Sequence, residues 1–311
     1  MQREINFLGL PIIKVKKSEN YEKRYFLGIQ YKTKKYARRH YNFVDAFAEN
    51  APSIRNRNIK VILNNLGEAV IYARTVNLWH QENDLVFGTR LQHAEIFKMF
   101  APEIPVFYCG EAPLTEPVDY NGNHIEAILF DDKLIAINNN GKPFLQAWAE
   151  HKQADLSELT YKPAIISAET TQTALNKAKV LGINLDKFVF LMSFARSVDL
   201  LPKEFWEDME YKLKAKGYDV VYNSKMFTIG EAYTLASRAK AIIGLRSGFG
   251  DVLCELKVPQ YVIYGHNDWH GDLQPMYSFE HFPWAAHEFI REYNTLTEDK
   301  NIIKTKILEN L

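Results

Sequence analysis

The run Gly244-Leu245-Arg246-Ser247-Gly248-Phe249-Gly250-Asp251 follows the apolar stretch Ala241-Ile242-Ile243 and leads straight into Val252-Leu253-Cys254-Glu255-Leu256. A strand that ends on small residues and turns at once into a helix leaves backbone N–H groups free at the helix N-terminus. The helix dipole makes that end attractive to an anion. Arg246 adds a planar cation, Ser247 a hydroxyl and Gly248 room for close approach, so the loop is a candidate pyrophosphate site. Asp251 opens the expected helix, with Phe249 just before it. Two structural alternatives stand beside this reading: Arg246 pairs with a nearby acid, and Asp251 serves as a helix N-cap or first-turn acid.

Two further loops follow apolar runs in the same way. Ser193-Phe194-Ala195-Arg196-Ser197-Val198 comes after Lys187–Met192, so Arg196 and Ser197 are placed to reach the same anion, unless Ser197 only caps a helix. Asn64-Asn65-Leu66-Gly67-Glu68 comes after Ile59–Leu63, with Glu68 opening a helix behind a glycine turn. A carboxylate there can take a proton from a hydroxyl nucleophile, or it is a first-turn glutamate favoured by the helix dipole. Asn65 and Gly67 belong to the same loop. The segment His266-Asn267-Asp268-Trp269-His270-Gly271-Asp272 alternates ligand-type side chains. Asn267 and Gly271 make it a loop, so the favoured role for His266 and Asp268 is the polar rim of a cleft, and no metal is expected. No zinc-type cysteine spacing exists either.

These loops need strands and helices that alternate, and the chain supplies them. The first block reads as strand 59–63, helix 69–78, strand 84–88, a helix ending before Pro102, strand 105–109 and short strands or a hairpin over 121–140. A helix spans 170–181. The second block reads as strand 187–192, a helix from Pro202 to Gly217 with an apolar stripe at Phe205, Trp206, Met209 and Leu213, strand 219–223, helix 229–239, strand 241–244, helix 251–257 and a last strand 261–264. Alternation of this kind predicts an α/β fold with parallel sheets, whose ligands sit at the carboxyl ends of the strands. The expected division is a basic segment 1–45, a first domain 46–165 and a second domain 166–311.

Composition is that of a soluble globular protein: 311 residues, 47% apolar and 24% charged. No apolar run approaches the ~20 residues of a membrane span, and the start lacks a signal-peptide core. Cys109 and Cys254 read as buried thiols, which suits a cytoplasmic protein. Formal net charge is zero, yet residues 1–40 hold eleven basic side chains against three acidic ones, so the remainder carries the compensating −8. This head repeats itself, Phe7-Leu8-Gly9-Leu10 and Phe26-Leu27-Gly28-Ile29 each running into lysines, with Tyr21, Tyr25, Tyr31, Tyr36 and Tyr41 interleaved. Rings among cations suit an anionic membrane surface, contacted through residues 7–41. The alternatives are a solvated face docked on the body and single-stranded nucleic acid; no nucleic-acid partner is expected.

At this point the residues resemble a family. Phe188 to Tyr264 is similar to the donor-binding half of bacterial GT-B glycosyltransferases, nearest those related to the heptosyltransferases of lipopolysaccharide and capsule synthesis. The resemblance is carried by Leu201-Pro202-Lys203-Glu204-Phe205-Trp206, by Lys216-Gly217-Tyr218-Asp219-Val220-Val221 and by Gly244 to Gly248. In the first block Leu66-Gly67-Glu68 matches a Leu-Gly-Asp that carries the family's catalytic base, with Glu for Asp. The duplicated head also looks like N-terminal segments of such enzymes. Asp199-Leu200 stand where the family has a lysine, and Arg246 where it has an aspartate; an arginine in place of that acid puts heptose in doubt as the donor sugar and points Arg246 to the donor diphosphate.

The resemblance implies two Rossmann-like, doubly wound domains facing a cleft, with the basic N-terminal extension. It implies transfer from a nucleotide diphosphate sugar to a lipid-linked or surface-polysaccharide glycan, inverting, without metal or cofactor. Glu68 would be the base; Arg196, Ser197, Arg246, Ser247, Gly248, Phe249 and Asp251 would hold the donor; Asn65, Gly67, His266 and Asp268 would line the cleft. The enzyme would sit on the inner face of the cytoplasmic membrane. Rival readings are a non-catalytic subunit of a polysaccharide assembly complex, a sugar-nucleotide epimerase of the same shape and an RNA-binding protein.

Overall fold

The computed structural model describes residues 2–7, 10–17, 21–26, 29–35, 58–62, 66–79, 85–89, 93–108, 118–120, 123–128, 142–195, 198–223, 226–267 and 271–311. It is a mixed α/β fold built on two twisted sheets, preceded by a separate antiparallel one.

The N-terminal sheet is a meander of β1 (Gln2–Phe7), β2 (Leu10–Lys17), β3 (Tyr21–Phe26) and β4 (Ile29–Lys35), paired in that order. The sequence repeat becomes two equivalent strand pairs. Phe7 stands opposite Leu10 and Phe26 opposite Ile29, and each pair carries a register shift close by, at Ile5/Asn6 and Arg24/Tyr25.

The first α/β sheet contains β5 (Asn58–Ile62), β6 (Leu85–Thr89), β7 (Val106–Tyr108), β8 (Val118–Tyr120) and β9 (Asn123–Ile128), in the order β7-β6-β5-β9-β8. All its pairings are parallel except β8 with β9. Of the short strands or hairpin expected over 121–140, the first strand is β9, which joins the sheet beside β5 and pairs with β8; residues 129–141 are outside those described. Helices α1 (Leu66–Arg74), α2 (Val76–Trp79) and α3 (Ala94–Phe100) belong to this block. Next come α4 (Phe144–Lys152) and α5 (Ala168–Val180).

The second sheet is fully parallel: β10 (Phe188–Met192), β11 (Asp219–Tyr222), β12 (Ala241–Leu245) and β13 (Gln260–Tyr264), with order β11-β10-β12-β13. Strands β10, β12 and β13 are buried along their whole length, as strands covered on both faces must be. After β13 come a short antiparallel pair, β14 (His266–Asn267) and β15 (Gly271–Asp272), and then a fifth parallel strand, β16 (Ile290–Asn294), beside β13. Sequence reading stopped at 264 and missed it. Its helices are α6 (Lys203–Ala215), α7 (Ile229–Ala236), α8 (Gly248–Leu253), α9 (Gln274–Tyr277) and α10 (Lys300–Glu309). In α6 the four expected stripe residues are buried, Pro202 precedes the first turn and Gly217 follows the last at φ 79°. Helix α8 starts three residues earlier than expected because Ser247, not Asp251, is its N-cap.

The two α/β sheets meet through four helices. α1 packs on α8, α3 packs on α7, and each pair is closed by α1 on α3 and α7 on α8. One continuous apolar core runs through all four.

Candidate functional site

The loop after β5 and the loop after β12 come from different sheets, and the fold brings them into contact. Both lead into helices, and the two helix N-termini abut glycine on glycine. A Cβ on Gly248 would lie 2.5 Å from the Gly67 backbone nitrogen, and one on Gly67 would lie 2.7 Å from Asp251 Oδ2. No other residue type permits that approach without displacing backbone. Glu68, 9% exposed, stands in the first turn of α1 at this junction. Gly67 and Gly248, 181 positions apart in the sequence, therefore form one place.

Arg246 corrects the sequence reading. Its guanidinium is buried and four of its five N–H donors bond internally: Nη2 to Asp251 Oδ1 at 2.6 Å, Nη1 to Asp251 Oδ2 at 3.1 Å and to the Ser247 carbonyl at 2.9 Å, and Nε to the Tyr277 carbonyl at 3.0 Å. The Phe279 ring lies 4.4 Å below it. Burial disfavours its charge, but Asp251 outweighs that and holds its proton affinity above the ordinary arginine value. Arg246 thus shapes the loop from behind and is not placed to hold a diphosphate. Asp251 is its partner, and Phe249 is core, its ring 6.4 Å from Phe190. At the surface of the loop remain Ser247 and Gly248, both half-buried, with the Ser247 hydroxyl accepting from the Gly250 N–H at 3.3 Å.

The second sheet places its topological switch point beside this junction. Strand order β11-β10-β12 reverses direction of winding at β10/β12, the point outside whose carboxyl ends doubly wound sheets bind ligands. Ser193–Ala195 and Arg246–Gly248 flank it. Phe194, 64% exposed, sits at that edge and was not singled out by sequence. His266 is exposed, with Nδ1 3.6 Å from Asp199 Oδ2, and its carbonyl accepts from the Asp199 N–H, so β14 is tied to the loop after β10. Asn65, Arg196, Ser197 and Asp268 lie outside the described residues. Among the described residues, no group of three or more His, Cys, Asp or Glu could hold a metal ion.

Charged ties fix the junction. Arg74, at the far end of α1 and fully buried, pairs with Glu255 Oε2 at 2.9 Å while its guanidinium lies 4.1 Å over Phe100. Glu255 Oε1 also accepts from the Ala164 N–H at 2.9 Å and the Tyr233 hydroxyl at 2.8 Å. Burial and then Glu255 push the Tyr233 hydroxyl far above its ordinary pKa. Glu95 of α3 reaches across to cap α7, accepting from Thr228 Oγ1 at 2.9 Å, the Ile229 N–H at 2.9 Å and the Gly230 N–H at 3.0 Å. Behind Arg246, Glu292 of β16 accepts from the Tyr264 hydroxyl, from Ser278 Oγ at 2.5 Å and from the Phe279 N–H at 2.8 Å, which fixes the 277–279 segment.

No family model and no curated protein matches this sequence. Solved structures do. A glycosyl transferase family 9 protein from Veillonella parvula superposes with a TM-score of 0.52 at 11% identity, covering 78% of this chain and 87% of that one. The two share a fold. The ADP-heptose lps heptosyltransferase II of E. coli aligns over 81% of this chain and 96% of its own at a TM-score of 0.49 and 11% identity. E. coli heptosyltransferase WaaC with ADP-2-deoxy-2-fluoro heptose aligns over 81% and 100% at 0.45 and 11%. The α/β fold with a parallel five-strand sheet expected from the sequence is thus shared with the Veillonella protein.

Proposed function

We propose that the chain is a nucleotide-sugar-dependent glycosyltransferase of GT-B shape, with domains 46–165 and 166–311 facing each other at the α1/α8 junction. The observation that carries this is the contact of Gly67 with Gly248. It sets a carboxylate, Glu68, beside a helix N-terminus at the carboxyl edge of a doubly wound sheet. A shared fold with a glycosyltransferase supports it.

In this reading the donor diphosphate lies against Ser247, Gly248 and the N–H groups that follow, with Arg196 and Ser197 on its other side. Charge that develops on the leaving diphosphate is met by these fixed dipoles and by the Arg196 cation, without a metal. Arg246 supports that loop from within. Glu68 takes the proton from the acceptor hydroxyl, which attacks the anomeric carbon from the face opposite the leaving group, with inversion. Asn65, Gly67, His266 and Asp268 line the acceptor side. The acceptor is a lipid-linked or surface-polysaccharide glycan, and residues 7–41 hold the enzyme on the anionic inner face of the cytoplasmic membrane.

The test is nucleoside diphosphate release from a panel of nucleotide sugars, with a lipid-linked oligosaccharide extract as acceptor. One donor consumed only when acceptor is present supports the proposal. A donor that raises the melting temperature and is never consumed would make the chain a non-catalytic subunit instead.

A further inference from the structure

We infer that Phe194 is the platform on which the nucleobase of the donor stacks. The inference rests on the donor site proposed above and adds which end of the nucleotide faces which loop. It is read by binding alone, so it can fail while that site stands. Phe194 leaves the carboxyl end of β10 with its side chain 64% exposed. Its neighbours in the chain are turned inward: Met192, Ala195 and Val198 are all buried. One apolar side chain in water is ordinary on a protein surface, so its place carries the argument. Met192 pairs with Gly244, so Phe194 and Arg246 each leave the sheet two residues later, from adjacent strands about 4.8 Å apart. That is the β10/β12 switch point, where doubly wound sheets hold their ligands.

A nucleotide diphosphate sugar has two ends, and the fold sorts them. The sugar must reach Glu68. Helix α1, which carries Glu68, packs on α8. Helix α8 connects β12 to β13, whereas β10 lies on the other side of β12. With the diphosphate against Ser247 and Gly248, the sugar therefore lies toward α1, and the nucleoside runs the other way, across the end of β10 and toward β11. Phe194 stands on that path. Beyond it comes Asn223, exposed, directly after β11, its N–H bonded to the Leu191 carbonyl of β10 at 2.8 Å. A flat ring followed by an amide suits a base, which offers a π-face to the one and hydrogen-bonding edges to the other. Every base has a π-face, so Phe194 sets the affinity for the nucleoside and leaves the choice of base to other groups.

The experiment is isothermal titration calorimetry of the full chain with ADP, GDP, CDP and UDP, and with inorganic pyrophosphate as the same anion without a nucleoside. Wild type is compared with Phe194→Ala, Phe194→Trp and Leu296→Ala. Leu296 is the control: an exposed apolar residue just after β16, three strands from β10. Both positions are exposed, so all variants should melt with wild type. Wild type is expected to bind at least one nucleoside diphosphate more tightly than pyrophosphate. Phe194→Ala should weaken that nucleotide about 5- to 150-fold, the range for a lost base stack, and leave pyrophosphate unchanged. Phe194→Trp should keep the nucleotide affinity, and Leu296→Ala should match wild type. Unchanged nucleotide affinity in Phe194→Ala would overturn the inference and leave the donor site standing. An equal loss for pyrophosphate would also overturn it, because the ring would then be shaping the anion loop. Wild type that binds no nucleoside diphosphate would overturn the inference and the donor site together.

Discussion

Arg246 shows how one side chain at one loop supports two chemistries that sequence leaves open, and how burial decides between them. Its four internal hydrogen bonds and the Phe279 ring beneath it are the structure of a support. Removing one partner of a buried pair leaves the other charge uncompensated, at a cost of about 3–5 kcal/mol. Arg246→Ala should therefore lower stability by about that amount in urea unfolding. Arg246→Lys should recover little of it, because an ammonium cannot reproduce the two-pronged contact with Asp251. A variant as stable as wild type would mean that the guanidinium is free to bind a ligand. Gly248→Ala tests the glycine contact. Its methyl would meet the Gly67 nitrogen at 2.5 Å and Leu66 Cβ at 3.1 Å, and overpacking of this kind costs about 1–3 kcal/mol. Melting temperature reads the loss; an unchanged value would show that α1 and α8 do not touch there. Cys254 has its thiol pushed up to about 12 by burial, with Asp251 adding to it against Arg74. It stays protonated at pH 8, and iodoacetamide followed by mass spectrometry should label it only after unfolding.

The elements were legible wherever local pattern and burial agree. Helix α6 was readable because a four-residue stripe, a proline before it and a glycine after it all gave the same boundaries. The buried runs of β10, β12 and β13 were readable because parallel strands are apolar throughout. Strand β16 was not, since Ile290-Arg291-Glu292-Tyr293-Asn294 is an edge strand, only partly buried, with two charged residues inside it. The start of α8 was misread because Ser247 and Asp251 are both capping residue types and only backbone geometry separates them. The clamp of Glu95 on α7 was invisible, because it joins residues 133–135 positions apart by hydrogen bonds to backbone and a hydroxyl. Glu95→Ala should cost about 0.5–2 kcal/mol, as loss of a helix cap does. Hydrogen exchange should quicken at the Ile229 and Gly230 amides and remain unchanged in α5. Unchanged exchange at those two amides would show that Glu95 does not cap α7.

At the scale of the molecule, the sequence showed two α/β blocks but not that a single core joins them through four helices. That joint is tied by Arg74 and Glu255, buried between aromatic rings. Calorimetry should therefore show one cooperative transition for the two α/β sheets, and Arg74→Ala should lower it by the roughly 3–5 kcal/mol of a broken buried pair; two well-separated transitions would contradict a shared core. The joint also sets Glu68 beside the start of α8, and the proposed chemistry depends on that placement. The most direct measurement is the rate of acceptor-dependent nucleoside diphosphate release by Glu68→Gln beside wild type, with donor affinity measured on both. If Glu68 is the base, the rate should fall about 100- to 10,000-fold while donor affinity changes little. A rate within a few-fold of wild type would contradict the account, because the carboxylate at the helix junction would then have no part in the reaction.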